Sequence, residues 1–329
     1  MIKRLTFIVC VLVVCMTNAF AQDMTFSQFY ANKLYLAPSF AGATEQYRVA
    51  LNYRNQWPAV PGVFHTYSVS FDMALPNFNS GIGVLAMHDV AGSGNLSTTN
   101  LGILYSYDIQ INKDWHIRPG VQFKYYRLGL DIEKLIFGSQ ITGTGTSPSV
   151  YPPPFENVSD IDFTTSAIAY NDRIWAGVTL DHLFTPKTSL YGDDTTLPIK
   201  LNVFGGVQLY KKTRLHTSFD EVVSVALNFQ KQDKYYQSDI GMYYFRRPLM
   251  FGVWYRGIPF ATSQAGDAII ALVGIKTDYV HIGYSYDYTI SNLLQNTGGS
   301  HEISLIFEFN RLSVSQQRKR IRAIPCPEF

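Results

Sequence analysis

Over most of its length the chain alternates between an aromatic or aliphatic residue and a small or polar one. Tyr47, Val49, Leu51 and Tyr53 interleave with Arg48, Ala50, Asn52 and Arg54. Tyr67, Val69, Phe71 and Met73 do so with Thr66, Ser68, Ser70 and Asp72, and Val280, Ile282, Tyr284 and Tyr286 with His281, Gly283, Ser285 and Asp287. The last such segment sets Ile303, Leu305, Phe307 and Phe309 against Glu302, Ser304 and Glu308. A strand sends successive side chains to opposite faces, so each segment has one apolar and one wet face. Two architectures satisfy such strands: a soluble sandwich, or a barrel with lipid outside and a polar interior.

The start of the chain bears on that choice. Lys3 and Arg4 precede the apolar run 5–16, and Ala19-Phe20-Ala21 forms a small-x-small site before Gln22. Residues 1–21 therefore read as a secretory signal peptide, because the apolar run is too short to span a bilayer. Cys15 lacks the small residues that precede a lipoprotein cysteine, and Cys10 and Cys15 leave with the signal. Cys326 alone remains, which excludes an intrachain disulfide framework.

Removing Lys3 and Arg4 from the 27 basic residues balances the 25 acidic ones, so global charge suggests no nucleic acid partner. Aromatics make up 15% of the chain and charged residues only 16%, where soluble domains carry roughly 25% charged residues. An exported, Tyr-rich, charge-poor chain without a later apolar helix fits an outer-membrane barrel.

About fourteen strands are predicted, near 47–55, 66–75, 80–89, 96–109, 115–131, 161–170, 173–181, 199–210, 214–229, 235–246, 249–257, 267–276, 279–288 and 301–309. Every second connection is short, at 76–79, 112–114, 171–172, 211–213, 247–248 and 277–278. Those between are mostly longer, above all 132–160, 181–198 and 289–300. Tight periplasmic turns and long outer loops give a membrane barrel this parity, and a sandwich has no reason for it. Closure also satisfies backbone groups that lipid cannot. The fold expected is thus an all-β, transmembrane antiparallel barrel over 47–309. A plug or periplasmic cap at 22–46 precedes it and a periplasmic tail at 310–329 follows.

In the first of these flanking segments Phe26, Phe29, Tyr30, Leu34, Tyr35 and Leu36 suggest a short amphipathic turn or helix ending near Pro38 and Gly42. It is a plug or cap at the barrel mouth, or an irregular lead-in packed on the barrel end. Arg48, Asn52, Arg54, Asp72, Asp108, Asp287, Glu302 and Glu308 suit a wet lumen. Trp115, Trp175, Trp254, Tyr105 and Tyr243, at strand ends, suit interfacial girdles, with some aromatics turned to the lumen instead. The stretch 142–160, with Gly143, Gly145, Pro148, Pro152, Pro153 and Pro154, reads as an outer loop or lid.

No residues form a catalytic, cofactor-binding or metal constellation. The 7 His are scattered without ligand spacing. His301-Glu302 lies near many serines, but no nucleophile motif accompanies it, so a hydrolase is weighed and set below lumen or girdle residues. Gly81-Ile82-Gly83 and Gly205-Gly206 fall inside strands, where close packing or bends account for them better than phosphate binding. Asn157-Val158-Ser159 fits the glycosylation pattern.

Phe309 has the character of a final barrel strand's aromatic end, yet the chain continues. The extension holds Arg311, Arg318, Lys319, Arg320 and Arg322, then Pro325, Cys326, Pro327, Glu328 and Phe329. With an even strand count it leaves on the periplasmic side. It is a floppy basic tail, or a segment that docks in a partner through Arg318, Lys319, Arg320, Arg322, Pro325, Cys326, Pro327 and Phe329. Cys326 fits a buried or free thiol better than a metal ligand, since no ligand cluster surrounds it.

Three stretches carry a resemblance that spans nearly the whole mature chain. They are Phe26-Ser27-Gln28-Phe29-Tyr30 leading into Leu34-Tyr35-Leu36-Ala37-Pro38-Ser39-Phe40-Ala41-Gly42; Tyr53-Arg54-Asn55-Gln56-Trp57 with Pro61-Gly62; and Arg322-Ala323-Ile324-Pro325-Cys326-Pro327. Together they resemble the PorP/SprF family of outer-membrane proteins associated with type IX secretion, with Ala37-Pro38-Ser39 where Asn-Pro-Ala is more usual. The resemblance implies a barrel without enzymatic activity in protein secretion and gliding. Its partners would be a secreted adhesin or other cargo held through its C-terminal domain at the outer face, a periplasmic lipoprotein or peptidoglycan-binding protein, and membrane lipid. A passive porin for small solutes is the alternative that a barrel of this size also allows.

Overall fold

The computed structural model describes residues 23–44, 47–135, 156–213, 220–257, 268–290, 297–309 and 324–326. The segments that alternate in sequence are strands. They are β1 (Tyr47–Gln56), β2 (Val63–Leu75), β3 (Ser80–Gly92), β4 (Leu96–Tyr107), β5 (Ile109–Gln110), β6 (His116–Gly129), β7 (Val158–Tyr170) and β8 (Ile174–Asp181). The second half adds β9 (Lys200–Thr213), β10 (Asp220–Gln232), β11 (Tyr235–Arg246), β12 (Leu249–Arg256), β13 (Ala268–Lys276), β14 (Val280–Thr289) and β15 (Ser300–Phe309).

Each strand pairs antiparallel with its chain neighbours, and β1 pairs with β15 from Tyr47↔Phe309 to Gln56↔Ser300. β4 and the two-residue β5 both pair with β6, so they form one wall position and the sheet closes as a barrel of fourteen positions. The predicted strand at 96–109 is interrupted at Asp108. Its backbone N–H leaves the ladder and donates to the Asn79 carbonyl at 2.7 Å, while its carboxylate takes the Tyr170 hydroxyl at 2.8 Å and lies 3.0 Å from His116 Nδ1.

Local chemistry sets the tight turns. Asn171 Oδ1 accepts the N–H groups of Arg173 and Ile174, and Asn112 Oδ1 those of Asp114 and Trp115, all within 2.9 Å. These are Asx turns, in which a side chain replaces the missing ladder partner. One predicted turn is corrected: 211–213 belongs to β9, where Lys212 pairs with Glu221 and Thr213 with Asp220. The opposite charges of Lys212 and Glu221, set directly across the ladder, favour pairing past the lysine pair. The turns at 76–79, 171–172, 247–248 and 277–278 and both barrel ends, Tyr47 and Phe309, share one end of the barrel, here the turn end; the longer connections share the other, the loop end, together with two tight turns at 93–95 and 233–234.

The faces sort as the alternation requires. In β1, Arg48, Ala50, Asn52 and Arg54 point inward and are buried, while Tyr47, Val49, Leu51 and Tyr53 point outward. The outer wall is a belt of exposed apolar groups, Leu101, Ile103, Phe123, Ile161, Val253 and Phe251 among them. Among the described residues no helix is long and apolar enough to cross a membrane. The strands supply the crossing.

Candidate functional site

The interior of the barrel is filled by the chain itself. Residues 23–44 run inside from the loop end to the turn end, with one helical turn at Lys33–Leu36 and a 3₁₀ turn at Pro38–Phe40. Phe26, Phe29, Tyr30, Leu34 and Phe40 are each at most 2% exposed. Of the inward residues that suited a wet lumen, Arg48, Arg54, Asp72, Asp287 and Glu302 are hydrogen-bonded to this segment, whose backbone cannot satisfy itself by regular helix or sheet. Asp108 and Glu308 pair with wall residues instead, and the buried Asn52 amide has no hydrogen-bond partner among the described residues.

At the loop end, the Asp23 carboxylate lies 2.8 Å from His182 Nε2 and 3.3 Å from Lys200 Nζ. His182 Nδ1 lies 2.6 Å from Asp162, and Lys124 bridges Asp162 at 3.1 Å and Asp181 at 2.5 Å. Burial works against a charged imidazole, but the carboxylates of Asp181 and Asp23 outweigh it and hold His182 at about 9. Burial likewise opposes the Asp23 carboxylate, yet His182 and Lys200 keep it well below the usual range. Asp23, Asp181 and His182 have the separations of a metal site. Two ammonium groups and the protonated imidazole already balance the three carboxylates, so the cluster is a closed ion-pair network rather than a cation site.

One layer further in, Glu302 receives the backbone N–H groups of Ser27 at 2.7 Å and Gln28 at 3.0 Å. Arg54 reaches Glu302 at 3.2 Å and Asp287 at 2.9 Å, and Arg256 joins Asp287 at 3.1 Å to Asp239 at 2.9 Å. The Ser27 hydroxyl donates to Asp287 at 2.5 Å, and Gln28 Nε2 donates to Ser285 and to the Glu302 carbonyl. Deeper still, Arg48 donates to the Ala31 carbonyl at 2.7 Å and Asn32 to the Ser68 hydroxyl at 3.0 Å. Near the turn end, Arg118 and Ser106 both donate to the Ala41 carbonyl, and Asp72 accepts the Gly42 N–H at 3.0 Å.

Between the ionic layers sits an aromatic box. Phe29 meets Trp254 at a centroid distance of 4.8 Å, Tyr243 meets Trp254 at 5.4 Å, and the Trp175 indole N–H donates to the Tyr30 hydroxyl at 3.3 Å. Trp175, Trp254 and Tyr243 are therefore the members of this set that face the lumen, and Trp115 and Tyr105 are exposed on the outer wall. An aromatic inward residue is stable here because another aromatic, not water, covers it.

The other end of the chain reaches the same core. Ile324 and Cys326 are buried in one apolar cluster with Phe29, Tyr30, Trp175 and Tyr243, and Gln208 Nε2 donates to the Pro325 carbonyl at 2.9 Å. Of the residues expected to meet a partner, Pro325 and Cys326 are thus turned into the barrel; Arg318, Lys319, Arg320, Arg322, Pro327 and Phe329 lie outside the described residues. The signal peptide and most of the Pro-rich stretch 142–160 also lie outside them. Glu302, weighed for a hydrolase, is fully buried and holds the inner segment, while His301 faces outward with its Nδ1 2.8 Å from the Tyr284 hydroxyl. Ser27, Gln28, His182 and Gln208 were not singled out from sequence as internal contacts. The one local signal was the polar Ser27-Gln28 pair set between Phe26 and Phe29.

Above the inner segment, at the loop end, a vestibule of about 410 Å³ remains, lined in part by Arg54, Gln56, Trp57, Phe64, Asp89 and Gln237. The molecule is an outer-membrane β-barrel whose lumen is occupied by its own polypeptide. Residues 18–307 match the family model described as type IX secretion system membrane protein PorP/SprF, and the chain belongs to that family. A search of curated proteins gives no match. Among solved structures, KdgM porin is similar at 8% identity and a TM-score of 0.39, over 80% of this chain and 99% of that one. The P. putida toluene transporter TodX is similar at 11% identity and a TM-score of 0.43, over 83% and 92%.

Proposed function

We propose that this protein is a non-enzymatic, protein-binding barrel of type IX secretion and gliding. At its loop end it holds the C-terminal domain of a secreted surface adhesin or other type IX cargo. At its turn end it joins a periplasmic secretion-system lipoprotein or peptidoglycan-binding protein. The observation that carries this reading is the filled lumen. Charged and polar side chains that would line a solute path are bonded to residues 23–44, which supports work done on the two end faces rather than through the bore. The basic stretch with Arg318, Lys319, Arg320 and Arg322 begins and ends next to described residues of the turn end, Phe309 and Ile324, which favours partner contact on that side.

Purification from native membranes tests the proposal, combined with conductance of the same material in a planar bilayer. The expected result is recovery of a cargo protein or a secretion component together with an electrically silent barrel. Recovery of the barrel alone, with steady open-channel steps, would favour the porin and remove this reading.

A further inference from the structure

On the outer wall four residues stand side by side at one height. His88 pairs with Thr99, Thr99 with Arg127 and Arg127 with Ser159, across β3, β4, β6 and β7. Two residues nearer the turn end the corresponding row is Ala86, Leu101, Tyr125 and Ile161. Positions two apart share a face, so the outer wall passes from apolar to polar within a single pleat, about 7 Å. Just above this boundary a cavity of about 400 Å³ opens, lined in part by His88, Ser97, Thr99, Arg127, Asp131 and Asn157.

The donors in this cavity are available. The Arg127 side chain is exposed and makes no hydrogen bond or ion pair among the described residues. Asp131 is engaged by Lys134 at 3.5 Å, so it does not cancel the guanidinium. His88 ties Nδ1 to the Thr99 hydroxyl at 2.9 Å, which leaves Nε2 for a ligand. A guanidinium fork matches phosphate oxygens, and neighbouring hydroxyl, imidazole and amide groups match sugar hydroxyls. Below the row, Leu101, Ile103 and Phe123 give an exposed apolar surface on which acyl chains lie.

We propose that this cavity binds the phosphorylated sugar headgroup of an outer-leaflet lipid, with phosphate on Arg127. Long loops face outward in such barrels, which places the row in the outer leaflet. The position at the edge of the apolar belt selects a lipid over a soluble phosphate, because a free ion gains nothing from the surface beneath.

The test uses delipidated full-length protein in detergent, titrated with bisphosphorylated lipid A and read by native mass spectrometry. One bound lipid is expected, weakened about tenfold or more by Arg127→Ala, weakened less by Arg127→Lys, which keeps the charge but loses the fork, and unaffected by Arg173→Ala at the turn end. Wild-type affinity in Arg127→Ala overturns the proposal, as does equal binding of lipid A stripped of its phosphates. Displacement by micromolar inorganic phosphate identifies a free-phosphate site and overturns the lipid assignment.

Discussion

His182 Nε2 and the Asp23 carboxylate lie 2.8 Å apart, fastening the inner segment to the loop end of the barrel wall. The imidazole is held at about 9 against its usual 6.5, so its contribution to stability is complete below 6.5 and is lost as pH rises through about 9. Asp23 has the opposite sign: its contribution is present above 3.8 and disappears only as pH falls well below that value. The unfolding temperature, read from gel migration in mild detergent, is expected to fall between about pH 7 and about pH 10. His182→Gln removes most of that slope and lowers the plateau on the acid side. Parallel curves for the two proteins would exclude the imidazole as the titrating group.

Glu302 is the inner segment's principal acceptor, taking two of its backbone N–H groups and one Arg54 contact while fully buried. Glu302→Ala leaves both N–H groups and part of the guanidinium without partners, an expected loss of roughly 3–5 kcal/mol. Glu302→Gln keeps an acceptor and costs less. Because the segment then detaches more readily, the alanine variant is expected to show conductance steps in a planar bilayer where the wild type is silent. A silent alanine variant with an unchanged unfolding temperature would mean that Glu302 does not hold the segment.

The strands and most turns were legible because both are local properties. Alternation over a few residues sets a strand, and Asn171 and Asn112 close their turns through their own side chains. The segment 22–46 was legible as a plug or cap, but its contacts inside the lumen were not, since Ser27 and Glu302 are 275 positions apart and no local pattern joins them. The direction of Trp175 and Trp254 was not legible for a related reason. Period-two patterning separates two faces, but an aromatic can sit on either one when the lumen holds Phe29 and Tyr30 instead of water. Asp108 was placed within a strand because its contacts, to Tyr170 and His116, come from other strands.

Two of the glycines that read as close-packing positions, Gly81 and Gly83, are where the inner segment touches the wall, while Gly205 and Gly206 pack against Trp175 of the wall itself. A Cβ built on Gly81 would lie 2.0 Å from the Ala41 carbonyl oxygen, a backbone atom fixed by Arg118 and Ser106. Gly81→Ala is therefore expected to destabilise the barrel by about 1–3 kcal/mol. Gly92, with nothing within 4 Å of its Cβ position, is the contrast for crowding, although its positive φ of 75° carries a separate backbone cost. Hydrogen exchange of residues 38–44 checks the cause. Protection should drop in the Gly81 variant and stay unchanged in a Gly92 variant.

The two readings of the tail differ in what its removal does. As a partner-docking segment it is dispensable for the barrel, since β15 closes on β1 up to Phe309. Yet Ile324 and Cys326 are buried against Tyr30 and Trp175, and Pro325 is held by Gln208. A buried isoleucine cut to alanine costs roughly 2–5 kcal/mol, so Ile324→Ala and a chain ending at Phe309 should both unfold at lower temperature than the wild type. Gln208→Ala tests the same contact from the wall side, and combined with Ile324→Ala it should add less than the sum of the two, because both release one segment. If the shortened chain keeps its unfolding temperature and loses only co-purifying partners, the segment serves the partner alone. A lowered temperature with partners retained makes it the barrel's own closing piece at the turn end.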